Sequence, residues 1–299
     1  MRVTRHTADR DLVSPVMETH KELQPYLFAI AYRMLGSVAE AEDVVQEAFL
    51  RYHEAGVEAE SPKAYLATVT TRLAIDQLRS ARVRREVYPG EWLPEPLVDD
   101  EAVRHAETAD ALSLAFLHLL EKLSPVERAV FLLREVFDYP YDEVARIVGK
   151  SPANSRQILA RAHRHIEQGR RRYDVSRDER EEVARRFLAA WEDVDTAELI
   201  ELLAPDATVF GDGGGKAPAM PAPLVGADRV AKALIGWGRQ ARERGIVHRR
   251  ASVNGEPGLV FYEPDGRALW VAALEIADGV VVAVRSVLNP DKLAHLRTR

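Results

Sequence analysis

The stretch YDEVARIVGKSPANSRQILARA, residues Tyr141–Ala162, leaves little freedom in how it folds. Val144, Ala145 and Val148 recur at helical spacing, and Gly149 suits the left-handed residue that ends a helix. Ser151 is a natural N-cap, and Pro152 falls at the first helical position, where its missing N–H costs nothing. A second helix starting there turns Ile158, Leu159 and Ala162 inward and exposes Asn154, Ser155, Arg156 and Gln157 in its first turn. Arg, Asn and Gln can bond bidentately to guanine and adenine edges, and this turn of a helix-turn-helix enters the major groove. Taken alone, the pattern fits a helix pair that never touches DNA equally well. From Ser151 to Arg172 there are six arginines against one glutamate, a run that is either a solvated face or a phosphate contact.

The 299 residues are enough for about two domains, and 46% hydrophobic content can build their cores. Cysteine is absent, which excludes disulfides, thiol nucleophiles and cysteine-held zinc. The residues call for no metal and no cofactor. Without a bilayer-length apolar run or a signal-peptide core, a cytoplasmic chain that engages no membrane is expected. The net charge of −6 is spread unevenly. Glu91–Asp110 holds seven acidic residues and one basic one, Arg104, and separates the basic stretches Arg79–Arg85 and Arg156–Arg172.

Ser-Pro pairs at Ser61, Ser124 and Ser151 each precede a helical pattern, and Ser124 with Glu127 also forms a capping box. Helices are predicted over 19–36, 38–54, 62–86, 106–122, 125–136, 140–148 and 152–170. YPGEWLPEPLVDD, between the third and fourth, is too rich in proline and acid for regular structure and reads as a linker. Beyond about residue 175 the texture changes. Two helices are predicted over 178–204 and one over 226–244, with strands at Ala207–Gly211, Val247–Val253, Leu259–Tyr262, Leu269–Ile276 and Val280–Leu288. Turns at Glu256-Pro-Gly, Pro264-Asp-Gly and Asp278-Gly suggest an antiparallel meander. The expected fold is therefore multidomain: two all-α helical domains followed by an α+β domain.

In residues 39–55, Val44, Val45, Ala48, Phe49 and Tyr52 form a buried face, and Asp43, Gln46, Glu47 and Arg51 lie opposite. That face says no more by itself than that it meets water. The third helix buries Leu66, Val69, Leu73 and Leu78 and ends in Arg79, Arg82, Arg84 and Arg85. Basic residues favour a helix C-terminus, and they also suit nucleic acid.

In order and spacing, DVVQEAFLR, then AYLATVTTRLAIDQLR, then the helix-turn-helix resemble the bacterial extracytoplasmic-function sigma factors of RNA polymerase, over about residues 20–170. The resemblance implies a DNA-binding initiation subunit. Asp43, Gln46 and Glu47 would dock on the clamp helices of the polymerase β′ subunit, and the β flap would be a further contact. Residues 62–85, with Arg72, Arg79 and Arg82, would read and melt the −10 element beside a loop at about 55–62 that holds a flipped base. The recognition helix, with Asn154, Ser155, Arg156, Gln157 and Arg161, would read the −35 element. The family often has Asn where this chain has Arg72, and Gly-Thr-Val where it has Ala153-Asn154-Ser155, so no promoter sequence carries over.

The tail narrows the resemblance to the SigJ-type subgroup, which carries a fused SnoaL-like domain of the NTF2-like cone fold. Three segments are similar to that subgroup's: Trp92-Leu93-Pro-Glu95-Pro in the linker, Asp212-Gly213-Gly214-Gly215-Lys216, and Asn289-Pro-Asp291-Lys292-Leu293. In the subgroup the extra domain regulates the sigma in cis, with no separate anti-sigma protein required. The implied layout is a region 2 module over 1–88, an acidic linker over 89–110, a region 4 module over 111–175 and the tail over 176–299. Trp92 and Leu93 are apolar residues in an acidic segment and are expected to bury. The glycine run allows close backbone approach, and Lys216 is expected to pair with Glu95; a flexible turn is the plainer account of GDGGGK. It is no phosphate-binding P-loop, because the spacer and the following Ser or Thr are missing.

Cone folds also enclose pockets, so two other accounts stand beside the sigma factor. One is a SnoaL-like pocket enzyme or ligand sensor fused to a DNA-targeting helical module. Asp206, Asp212 and His248 are its acid–base candidates, Trp237, Phe261, Tyr262 and Trp270 its walls, and a small ligand its partner. The other is a repressor or activator that binds duplex DNA unaided.

Overall fold

The computed structural model describes residues 14–55, 61–99, 112–167 and 176–296, without the side chains of 14–19, 81–86 and 177. Helices α1 (Ser14–Leu35), α2 (Val38–Ala55) and α3 (Pro62–Glu86) pack on one another. α4 (Leu114–Leu120), α5 (Pro125–Phe131) with a π-helical segment at Leu132–Val136, α6 (Tyr141–Val148) and α7 (Pro152–Glu167) follow. The predicted start of α4 at 106 lies outside the described residues. All three Ser-Pro pairs act as helix starts. Ser61 Oγ accepts from the Ala64 amide, Ser151 Oγ from Asn154, and Ser124 closes a capping box with Glu127. Gly149 ends α6 at φ 67°, in the left-handed region.

One apolar core runs through both helical blocks, from Leu27 and Phe49 to Leu132, Ile158 and Ile166. Arg128, only 3% exposed, stitches them together: it donates to Met34 O at the end of α1 (2.7 Å) and to Leu120 O at the end of α4 (2.8 Å).

The tail opens with α8 (Arg177–Glu192) and α9 (Thr196–Leu202), and continues with β1 (Leu203–Asp212), β2 (Leu224–Val225), α10 (Ala227–Glu243), β3 (Val247–Val253), β4 (Glu256–Tyr262), β5 (Ala268–Ala277), β6 (Val280–Val287) and α11 (Pro290–Leu293). Sheet order is β2-β1-β6-β5-β4-β3. Strands β3 to β6 form the expected meander, but β1 runs parallel to β6, so the sheet is mixed. A parallel neighbour needs a long crossover, which local turn signals do not reveal. The first hairpin turn also sits two residues earlier than expected. Asn254 and Gly255 take φ of 53° and 84°, the pair of left-handed residues a tight hairpin needs, and Glu256-Pro-Gly begins β4 instead.

Strand alternation gives the sheet two apolar faces. Leu259, Phe261, Leu274 and Val284 face the tail's own helices, whereas Val260, Tyr262, Val271, Val287 and Leu293 pack with Leu93 of the linker and Leu114 of α4.

Candidate functional site

On α2, Asp43 and Gln46 are exposed; Glu47, half-buried, takes a bond from Arg51 at 2.7 Å. Leu50 beside them is 50% exposed. This outer face stays open. A cleft of about 850 Å³ runs along it towards the tail, lined among others by Gln46, Leu97, Arg249, Tyr262 and His295.

Arg72 on α3 is committed elsewhere. Its Nε donates to Ile147 O and its Nη2 to Arg146 O, both at 2.9 Å. These are carbonyls of the last turn of α6, the negative end of that helix, which a planar guanidinium fits with two parallel donors. Arg79 is exposed and pairs with Asp76 at 2.8 Å. Arg82 is on α3, but its side chain lies outside the described residues, as do most of the 55–62 loop and the run Arg170–Arg172.

On α7, Asn154, Arg156 and Gln157 are exposed, and Arg156 lies over the Tyr141 ring at 4.9 Å. Arg161 is also exposed, 3.9 Å from Glu127. Ser155 corrects the sequence reading. It is 0% exposed and its hydroxyl meets no partner, because the turn of α7 that presents Arg156 rotates Ser155 inward beside Ile158 and Leu159.

The linker and the tail meet around Asp212, which is wholly buried. Its carboxylate accepts from Tyr88 Oη at 2.5 Å, the Leu93 amide at 2.8 Å and Lys292 Nζ at 2.6 Å. Lys292 also donates to Leu93 O and lies over the Trp92 ring at 4.1 Å. Asn289 Nδ2 donates to Tyr88 Oη at 2.8 Å and Asn289 Oδ1 caps α11. Burial and the Asp212 charge raise the Tyr88 pKa and keep it a phenol able to donate. Gly214, at φ 57°, needs to be glycine, since a Cβ there would stand 2.2 Å from Asn289 Nδ2 and 2.7 Å from Tyr88 Oη. Leu93 is fully buried and Trp92 half-buried, with Gly36 pressed against its ring.

The expected Lys216–Glu95 pair does not form. Lys216 Nζ reaches Asp291 Oδ2 at 2.5 Å, both exposed, within the tail. Glu95 instead caps α2, accepting from Ser37 Oγ at 2.8 Å and the Val38 amide at 2.6 Å. An anion at a helix N-terminus is favoured by orphan amides and the macrodipole, whereas a pair of exposed charges gains little. Asn254 is a residue the sequence reading missed: it is 0% exposed and bonds to Leu97, Tyr32 and Leu112. The Asn-Gly dipeptide was the available signal for the turn, but nothing local marks its side chain as a contact.

Two family models match the helical part of the chain. Residues 20–84 match the family model of Sigma-70 region 2, and residues 113–166 match Sigma-70, region 4. The ECF RNA polymerase sigma factor SigJ of Mycobacterium tuberculosis is 36% identical over 285 residues, covering 90% of each chain. The chain belongs to the ECF RNA polymerase sigma factors. A probable ECF sigma factor of that organism, SigI, is 32% identical over 97% of this sigma factor and 98% of its own length. The crystal structure of M. tuberculosis SigJ superimposes with a TM-score of 0.76 at 34% identity, over 95% of this chain and 100% of that one, tail included.

The acid–base candidates in the sigma factor's tail do not converge. Asp212 points to the linker side of the sheet and its oxygens are bonded, whereas His248 lies on the helix side against Trp191 and Phe261, 3.3 Å from Glu192. Asp206 is exposed near the start of β1. The aromatic residues pack the core: Trp270 stacks on Phe261 at 3.9 Å, and Trp191 donates to Leu234 O. Among the described residues, no cluster suits a metal ion and no helix is long and apolar enough to cross a membrane.

His118 on α4 gives the sigma factor's linker junction a pH dependence. Its ring faces Trp92 O and Glu91 Oε1, each at 3.2 Å, which by itself would favour the cation. Burial, helped by Arg285, outweighs this and lowers its pKa from 6.5 to about 4. The folded state therefore holds a neutral ring that the unfolded chain protonates below pH 6.5. His118's contribution to the junction's stability is fully present above pH 6.5 and is lost as pH drops towards 4. Denaturation midpoints at pH 7 and pH 5 should differ for the native chain and differ less for His118→Gln. An equal drop in both would remove His118 from the account.

Proposed function

We propose that the chain docks on core RNA polymerase through Asp43, Gln46 and Glu47, reads a −10 element with α3 and a −35 element with α7, and is regulated in cis by its tail. Residues 1–88 form the docking and −10 module, 89–110 the linker, 111–175 the −35 module and 176–299 a SnoaL-like, NTF2-like regulatory domain. The tail performs no catalysis, and no separate anti-sigma protein is required. The carrying observation is an asymmetry: Asp43, Gln46, Arg156 and Gln157 are exposed while Arg72 is held on the α6 carbonyls. The −10 helix is thereby restrained by the −35 module. Thr70, Thr71 and Ser155, on the two DNA-facing helices, bury hydroxyls without partners, a cost that supports a further, open arrangement on DNA. The tail bears on the regulated state because the linker joining the two modules is bonded to it at Leu93, Leu97 and Asp99.

Asp43→Ala combined with Gln46→Ala is expected to weaken core binding about tenfold with the fold intact, since a few central side chains carry most of an interface's affinity. Unchanged affinity in a titration with core enzyme would remove α2 from the docking surface. Arg156→Ala should lower −35 discrimination by about 1–3 kcal/mol if its guanidinium meets a base edge. A loss spread evenly over all promoter sequences would instead make it a phosphate contact.

A further inference from the structure

The hairpin tip of the tail is tied to the start of α2 by an unbroken chain of hydrogen bonds. Asn254 Nδ2 donates to Tyr32 Oη at 2.7 Å, and Tyr32 Oη donates to Glu95 O at 2.6 Å. Glu95 is in turn fastened at both ends. Its amide donates to Gly36 O at 2.8 Å, and its carboxylate caps Ser37 and Val38. Asn254 has no slack: Oδ1 accepts from the Leu97 amide at 2.9 Å, its own amide donates to Leu97 O at 2.8 Å, and Nδ2 also reaches Leu112 O at 2.9 Å. One tail amide thus touches α1, the linker and the residues entering α4. Tyr32 and Asn254 are each 0% exposed, so these bonds have no competing water and a lost partner leaves a buried polar group.

We propose that this relay, Asn254–Tyr32–Glu95, makes the tail a positioning element for α2, so that seating of the tail strengthens polymerase docking. The idea rests on the docking role assigned to α2, and it adds a direction that the Arg72 latch lacks. The latch restrains DNA reading; the relay supports core binding. Glu95 fixes the first turn of the helix that carries Asp43, Gln46 and Glu47 on its following turns. Loss of a helix cap frees that turn, and the helix's outer face is then no longer held ready for a partner. The tail and the polymerase would accordingly favour the same α2 geometry without touching each other.

Two readouts on the full chain test it. Amide hydrogen exchange at Val38 and Ala39 reports the cap, and titration with core polymerase reports docking. Asn254→Gly keeps the positive φ the turn requires, and Tyr32→Phe removes a single oxygen. Each is expected to speed exchange at Val38 and Ala39 and to weaken core binding about threefold to tenfold, in proportion to a lost cap. The double variant should be no worse than the stronger single one, because both break one chain. Unchanged exchange in both single variants, or effects that add, would overturn the relay. Faster exchange with unchanged core affinity would overturn the link to docking. If core affinity also ignores Asp43→Ala with Gln46→Ala, the failure lies in the docking assignment, and the exchange data still decide whether the relay exists.

Discussion

Asp212→Ala is expected to destabilise the junction between tail and linker by about 3–5 kcal/mol, the cost of leaving a buried partner charge uncompensated. The residue is 0% exposed and holds Tyr88, the Leu93 amide and Lys292, which is itself 6% exposed. Without the carboxylate, the Lys292 ammonium would lose the Asp212 oxygen at 2.6 Å and keep Leu93 O and the Tyr88 and Trp92 ring faces among its contacts. Adding Lys292→Met should recover much of the loss, since replacing a whole buried ion pair by apolar side chains is often close to neutral. Urea unfolding of the native chain and the two variants measures this. A loss below about 1 kcal/mol in Asp212→Ala, or no recovery in the double variant, would contradict an ion pair that holds the linker.

Arg128→Met carries the second large effect, about 2–4 kcal/mol. The guanidinium is buried between α1 and α4, on Met34 O and Leu120 O, with Glu121 Oε1 at 2.8 Å. Methionine fills much of the volume and restores none of the donors, so two buried carbonyls lose a charged partner. Because Arg128 joins the two helical blocks, the loss should appear as separation as well as instability. Hydrogen exchange in α1 and α5 should rise together, and the unfolding transition should lose cooperativity. A single transition at the native midpoint would mean that the blocks hold together without it.

What the sequence disclosed follows from how local its causes are. Ser61, Ser124 and Ser151 bond within three residues of themselves, so their caps were readable. Leu93 was readable because an apolar side chain in an acidic segment has few places to go. The parallel pairing of β1 with β6 was not, because its partner lies some 70 residues away along the chain. Glu95 failed for the same reason: a charged residue was matched to the opposite charge in another motif, while its actual partners are uncharged groups at a helix start. Ser155 failed through helix phase, since it sits three residues before the buried Ile158, on the same face.

The most direct test is promoter-specific run-off transcription with purified core polymerase, comparing the full chain, Arg72→Ala and the Asp43→Ala, Gln46→Ala pair. Specific transcripts from the full chain, lost with the α2 pair, are predicted, with Arg72→Ala reporting the release of the latch. No promoter-specific initiation from any of them, under conditions where the chain shifts duplex DNA without polymerase, would contradict the account.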